Sequence, residues 1–146
     1  MKFEIRTAVL PIIAVNVAAF MLQAFMANFT ESFMLISTDI FSRPWIIITS
    51  MFLHGSFNHI FFNMYGLLLF GTVLEQRIGP KRFMILYFLS GIAAALLSSF
   101  FYARALGASG AIMGVVGALI ILMPELRLLF FFIVPMPLWF AGIIYA

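Results

Sequence analysis

Residues 57–74 read FNHIFFNMYGLLLFGTVL, eighteen positions without a formal charge. As a helix at 1.5 Å per residue they extend about 26 Å, near but a few ångströms short of the roughly 30 Å hydrocarbon core of a bilayer. Two residues are out of character in this run, His59 and Asn63. Four positions apart on a helix, they share one face and sit one turn from each other. Burying two such groups without partners would cost a few kcal/mol each. Two readings follow: an interhelical hydrogen-bond pair that holds a bundle together, or a pair of donors aimed at a polar cavity. A metal site is a much weaker reading. His54 and His59 are five apart, on different faces, and no acidic ligand accompanies them.

Working outward, uncharged stretches also fall at 7–27, 83–102, 107–124 and 128–146. With hydrophobic residues at 65%, charged residues at 9% and a mean hydropathy of +1.18, the chain cannot coat a globule with polar surface. A soluble domain carries roughly a quarter charged residues. The expected fold is therefore all-α: a multi-pass transmembrane helical bundle in the lipid bilayer, one membrane domain over 1–146 without internal repeats. Lys2 and Arg6 before the first run imitate a signal peptide. That run exceeds the usual h-region and has no convincing small-residue cleavage site, so it reads as a retained helix.

Orientation follows from the basic residues. A cytoplasmic N-terminus puts Lys2, Arg6, Arg77, Lys81, Arg82 and Arg127 inside and leaves Arg43 and Arg104 outside. The net charge of +3 is thus a matter of membrane topology, and the scattered basic residues do not suggest nucleic acid as a partner. With no cysteine, no disulfide or thiolate-metal site is available. The connector 28–56 is too apolar for a solvated loop, with Phe33-Met34-Leu35-Ile36 and Trp45-Ile46-Ile47-Ile48. It is expected in the outer interface, with Trp45 at headgroup depth. Asn16 and Gln23, lone amides in the first run, read as packing glue. No charged residue lies inside the spans to mark an ion path, which disfavours a channel or transporter.

Ser109 lies in Gly107-Ala108-Ser109-Gly110. The nucleophile elbow of soluble hydrolases would need a glycine where Ala111 stands. Gly110, Gly114 and Ala118 recur every four residues, so a small-residue packing face accounts for this segment on its own. Length favours a second reading. The 107–124 run extends only about 26 Å, short of the core, so with Pro124 at the inner surface Ser109 starts a few ångströms below the outer one. His59 and Asn63 enter from the same side, at similar depth. Ser109 also falls in the first turn of its helix, where backbone N–H groups lack intrahelical acceptors and favour an oxyanion.

Residues Met51–Asn63, MFLHGSFNHIFFN, resemble the second-helix signature of rhomboid intramembrane serine proteases, and Gly107-Ala108-Ser109-Gly110 resembles their nucleophile motif. Residues 71–79, GTVLEQRIG, are similar to the end of that helix and its cytoplasmic turn, and the connector with Pro44-Trp45 to the family's membrane-embedded first loop. The resemblance implies five of the usual six helices. It makes Ser109 the nucleophile, His59 and Asn63 oxyanion donors together with the Ser109 N–H, and His54, Gly107 and Gly110 supporting residues, with no metal and no cofactor. The implied activity is endopeptidase cleavage of transmembrane protein substrates near the outer membrane face. The expected setting is a prokaryotic inner membrane.

Two departures from the family pattern matter. Ile46 stands where a polar or basic residue is common. The family's general base is a histidine on a sixth helix, and neither His54 nor His59 fits it by position, so the sequence reads as C-terminally incomplete. A serine without a base is a weak nucleophile. The alternative is accordingly a rhomboid-like pseudoprotease that binds transmembrane helices without cleaving them.

Overall fold

The computed structural model describes residues 7–130 and 134–137. Four apolar helices dominate: α1 (Val9–Phe25), α4 (Phe57–Ile78), α5 (Pro80–Ser98) and α6 (Ser109–Leu122). By length and composition α4 and α5 can each cross a membrane, while α1 and α6 are shorter apolar helices. Two short helices, α2 (Phe29–Phe33) and α3 (Ile46–Thr49), lie in the connector between α1 and α4.

Helix ends follow backbone chemistry and not the edges of the uncharged runs. The third run begins at Phe83, yet α5 begins at Pro80: Gly79, at φ +84°, breaks α4, and Pro80 supplies a preset φ at a position whose N–H needs no acceptor. Lys81, Arg82 and, at the end of α4, Glu75 and Arg77 are therefore helical although charged. The 83–102 run likewise ends as helix at Ser98, and 107–124 contracts to 109–122. Within α4 the residues Leu67–Gly71 form a π-helical turn. Gly71 there is a crossing point: a Cβ on it would lie 3.1–3.3 Å from Leu67, Val9 and Phe83, so α1, α4 and α5 meet at this glycine.

The core forms around α6, whose Ile112, Val115, Val116 and Leu119 are buried against Leu67, Phe70 and Leu74 of α4 and Phe83 and Tyr87 of α5. The small-residue face expected on α6 is present. Cβ atoms on Gly110 and Gly114 would lie 2.3 Å from the Ala94 Cβ and 2.0 Å from the Ser90 Oγ, so α5 and α6 touch at backbone distance.

The connector is ordered, as its apolar content required. Asn28, in the left-handed conformation at φ 62°, turns the chain after α1. Strand β1 (Leu35–Ile36) pairs antiparallel with β2 (Arg104–Ala105), tying the connector to the segment that leads into α6. Arg43 pairs with Asp39 at 2.6 Å and Arg104 with Glu31 at 3.0 Å. Phe41 and Trp45 remain exposed, as groups that insert into an interface would be.

At the opposite end, Glu75 of α4 is buried against the start of α1. It accepts a hydrogen bond from Thr7 Oγ1 at 2.5 Å and one from the Ala8 N–H. A carboxylate there satisfies orphan donors and meets the positive end of the helix dipole.

The fifth helix expected at 128–146 lies largely outside the described residues. Where that stretch is described it is extended: β3 (Arg127–Phe130) pairs antiparallel with β4 (Val134–Pro137). Pro135 and Pro137 each remove a donor and push the preceding residue to extended backbone, which opposes a helix starting there.

Candidate active site

The candidate site residues His54, His59, Asn63, Gly107, Ser109 and Gly110 lie toward the end of the bundle where α4 and α6 begin. Ser56 opens α4: its hydroxyl accepts the His59 N–H at 3.2 Å, which fixes the first turn and the direction of the His59 side chain. His59 is half-buried. Its Nδ1 accepts the Gly55 N–H at 3.4 Å, so in the neutral ring the proton sits on Nε2. Nε2 is thus a donor, and it points toward the loop before α6.

Gly107 lies in that loop with φ +122°, a region reserved in practice for glycine. A Cβ on it would be 2.8 Å from His59 Nε2, 2.8 Å from Cε1 and 3.8 Å from Ser109 Oγ. The imidazole therefore sets its Nε2–Cε1 edge against bare backbone, and a hydroxyl and an imidazole N–H flank one point. No hydrogen bond joins Ser109 Oγ to His59 among the described residues, so both remain able to address a third atom between them. Ser109 is the first residue of α6 and is exposed. Its N–H belongs to the helix's first turn, where no intrahelical acceptor exists.

Asn63 is one turn along α4 from His59 and buried. Its Nδ2 donates to the His59 carbonyl at 2.8 Å. His59 and Asn63 thus share a face, as their spacing required, and Asn63 braces the turn that carries His59.

His54 is buried at 2% exposure, and its ring meets His59 edge-on at a centroid distance of 5.0 Å. Neither ring nitrogen makes a hydrogen bond of full geometry among the described residues, although the Phe52 backbone lies near enough to interact weakly with the ring. Burial, with the neighbouring His59 as a lesser cause, pushes its pKa down to about 4, so the ring is neutral at physiological pH. The two histidines face each other although five positions apart, because His54 lies outside the helix. No group of three or more potential metal ligands occurs among the described residues.

Two contributors were not legible as such. Gln23 of α1 clamps the His54 backbone from both sides, accepting its N–H at 3.0 Å and donating to its carbonyl at 3.1 Å. The Ser50 carbonyl accepts the Gly107 N–H at 2.9 Å, fixing the glycine loop to the connector. A lone amide in an apolar run signals the first. The second is carried by backbone and leaves no trace in residue type.

The rhomboid domain profile matches residues 42–146. The chain belongs to the rhomboid family. It is 36% identical to Rhomboid protein 1, mitochondrial, of Saccharomyces cerevisiae over 151 aligned positions, which cover 96% of this chain and 44% of the relative. It is 38% identical to Rhomboid-like protease 3 of Toxoplasma gondii over 77 positions, 51% of this chain and 29% of the relative. It is 36% identical to Inactive RHOMBOID-like protein 8 of Arabidopsis thaliana over 78 positions, 52% of this chain and 22% of the relative. The chain thus spans less than half the length of these curated relatives. Rhomboids are integral membrane proteins, which accords with the apolar helices here, and by name the family holds both a protease and an inactive member. All three relatives are eukaryotic and one is mitochondrial by name, so they lend no support to the expected prokaryotic inner membrane.

Proposed function

We propose that this rhomboid is an intramembrane serine endopeptidase that cleaves transmembrane protein substrates near the outer membrane face, with Ser109 as its nucleophile. The observation that carries this reading is the contact at Gly107, which leaves His59 Nε2 and Ser109 Oγ flanking a single point. In the reaction Ser109 Oγ attacks the scissile carbonyl carbon, and the developing oxyanion is met by the His59 Nε2–H, the Ser109 N–H and the Asn63 amide. Preorganised donors of this kind are worth roughly 10²–10³ each in rate. Collapse of the tetrahedral intermediate releases the amine product and leaves an acyl-enzyme, which water hydrolyses.

His59 serves here as a donor. Its Nδ1 is engaged by Gly55 and its Nε2 carries the proton, so it is in the wrong tautomer to accept one from Ser109. His54, with its pKa lowered by burial and its place behind His59, is no base for Ser109 either. The Ser109 proton passes to a general base and from it to the leaving amine; in the family that base is a histidine on a sixth helix, a place that neither His54 nor His59 takes. Depth supports the reading: α6 is about 21 Å long as a 14-residue helix, shorter than the ~30 Å core. With the N-terminus cytoplasmic, Ser109 and His59 lie below the outer surface.

The test uses the full-length protein. Wild type should cleave a single-span substrate and label with a fluorophosphonate, and Ser109→Ala should do neither; cleavage by Ser109→Ala would overturn the assignment. The second reading is a pseudoprotease that binds transmembrane helices, favoured by the similarity to a relative named inactive. Its signature would be substrate binding that is unchanged by Ser109→Ala, without labelling of wild type.

A further inference from the structure

Away from the site, at the end of the bundle where α1 and α5 begin, these two helices diverge and leave an apolar groove of about 380 Å³. Pro11, Ile12 and Val15 form one wall, Met84 and Phe88 the other, and Phe52 from the connector closes the far end. Thr7 and Pro80 stand at its mouth. Thr7 adds no free polarity, since its hydroxyl is spent on Glu75. From Thr7 to Val15 the groove runs about 12 Å along α1.

In a membrane protein such a cleft between two spans faces lipid. Among the described residues the exposed charges beside its mouth are basic, and the acid there, Glu75, is buried. Lys81 precedes Met84 by three residues and Phe88 by seven, so it borders the groove-facing stripe of α5, and Arg82 follows it. Both are exposed, and neither pairs with a carboxylate among the described residues. Glu75, the nearby acid, is held by the start of α1. We propose that this groove is a phospholipid site selective for an anionic headgroup, with one acyl chain lying between α1 and α5 under Phe52 and the headgroup phosphate on Lys81 and Arg82. Basic clefts between membrane helices at the basic end of a bundle favour anionic headgroups, each lysine or arginine contributing attraction near the surface. The lipid would brace α1 against α5 beneath the connector, which occupies the other half of the same seam.

The full chain would be purified in detergent with equimolar phosphatidylglycerol and phosphatidylcholine, and retained lipid counted by native mass spectrometry. One phosphatidylglycerol should survive detergent exchange, preferred over phosphatidylcholine by about tenfold or more. Lys81→Gln with Arg82→Gln should abolish the preference. Val15→Trp, at a residue already half exposed, should fill the groove and remove the bound lipid of either kind, with helical circular dichroism confirming that the variant folds. Retention in proportion to the lipids supplied, or lipid held equally well by Val15→Trp, would overturn the site.

Discussion

The Nε2–Cε1 edge of His59 abuts Gly107: a methyl group on Gly107 would lie 2.8 Å from both of these imidazole atoms. Gly107→Ala therefore adds atoms where the ring is and also forces alanine to φ +122°. The backbone strain alone costs of order 1–3 kcal/mol. Displacing the ring takes the Nε2 donor off target, and on the proposed mechanism cleavage should fall by roughly 10²–10³. Measuring cleavage beside thermal stability separates the effects, because a variant that keeps its rate while losing stability would show that the contact is packing only.

His54 makes stability depend on pH. Its pKa is about 4 in the fold against an ordinary 6.5, so between those values the unfolded chain binds the proton more readily. Stability contributed by the neutral buried ring is complete above about pH 6.5 and is lost as pH falls toward 4, a change of a few kcal/mol by linkage. Unfolding midpoints measured in detergent at pH 7.5 and pH 4.5 should differ more for wild type than for His54→Phe, which keeps an aromatic edge against His59 without a titrating group. Equal pH slopes in the two proteins would rule this out.

Gly114 and Gly117, one turn apart on α6, should respond oppositely to alanine. At Gly114 a Cβ would overlap Ser90, with Oγ at 2.0 Å and Cβ at 2.2 Å, and overpacking of this kind costs about 1–3 kcal/mol. At Gly117 a Cβ meets nothing within 4 Å, so alanine's helix propensity should stabilise by up to about 1 kcal/mol. Thermal melts of the two variants in one detergent provide the comparison.

The contrast between these glycines marks how far the sequence could be read. The four-residue spacing of Gly110, Gly114 and Ala118 announces a close helix contact, and the spacing of His59 and Asn63 announces a shared polar face. Both are properties of one helix and need no knowledge of its neighbours. Ser50 to Gly107 is different, since a carbonyl and an amide belong to every residue and only the fold selects which ones meet. The start of α5 at Pro80 was missed because absence of charge marks where lipid begins, whereas Gly79 and Pro80 mark where the helix begins. The 128–146 run lies largely outside the described residues; where it is described, around Pro135 and Pro137, the chain is extended. His54 was legible as a residue of interest, but its burial against His59 depends on a loop path that periodicity does not encode.

Gln23 offers the sharpest test of how α1 serves the site. Its amide closes a two-sided clamp on His54, one bond to the N–H and one to the carbonyl, and donates as well to Thr30 Oγ1 at 3.0 Å. Gln23→Ala leaves a partly buried donor and acceptor without these partners, at roughly 1–3 kcal/mol for each group left unsatisfied. Gln23→Glu keeps the acceptor for the His54 N–H but, when ionised, sets an oxygen against the carbonyl. Protonated, it regains one donor. The glutamate variant should therefore be less stable than wild type at pH 7.5 and recover part of the deficit on mild acidification, against the wild-type trend set by His54. A Gln23→Glu protein whose melting midpoint tracks wild type at both pH values would mean that the clamp does not hold the His54 backbone, and that the connector is secured by its other ties, among them the β1–β2 pair and the Ser50–Gly107 bond.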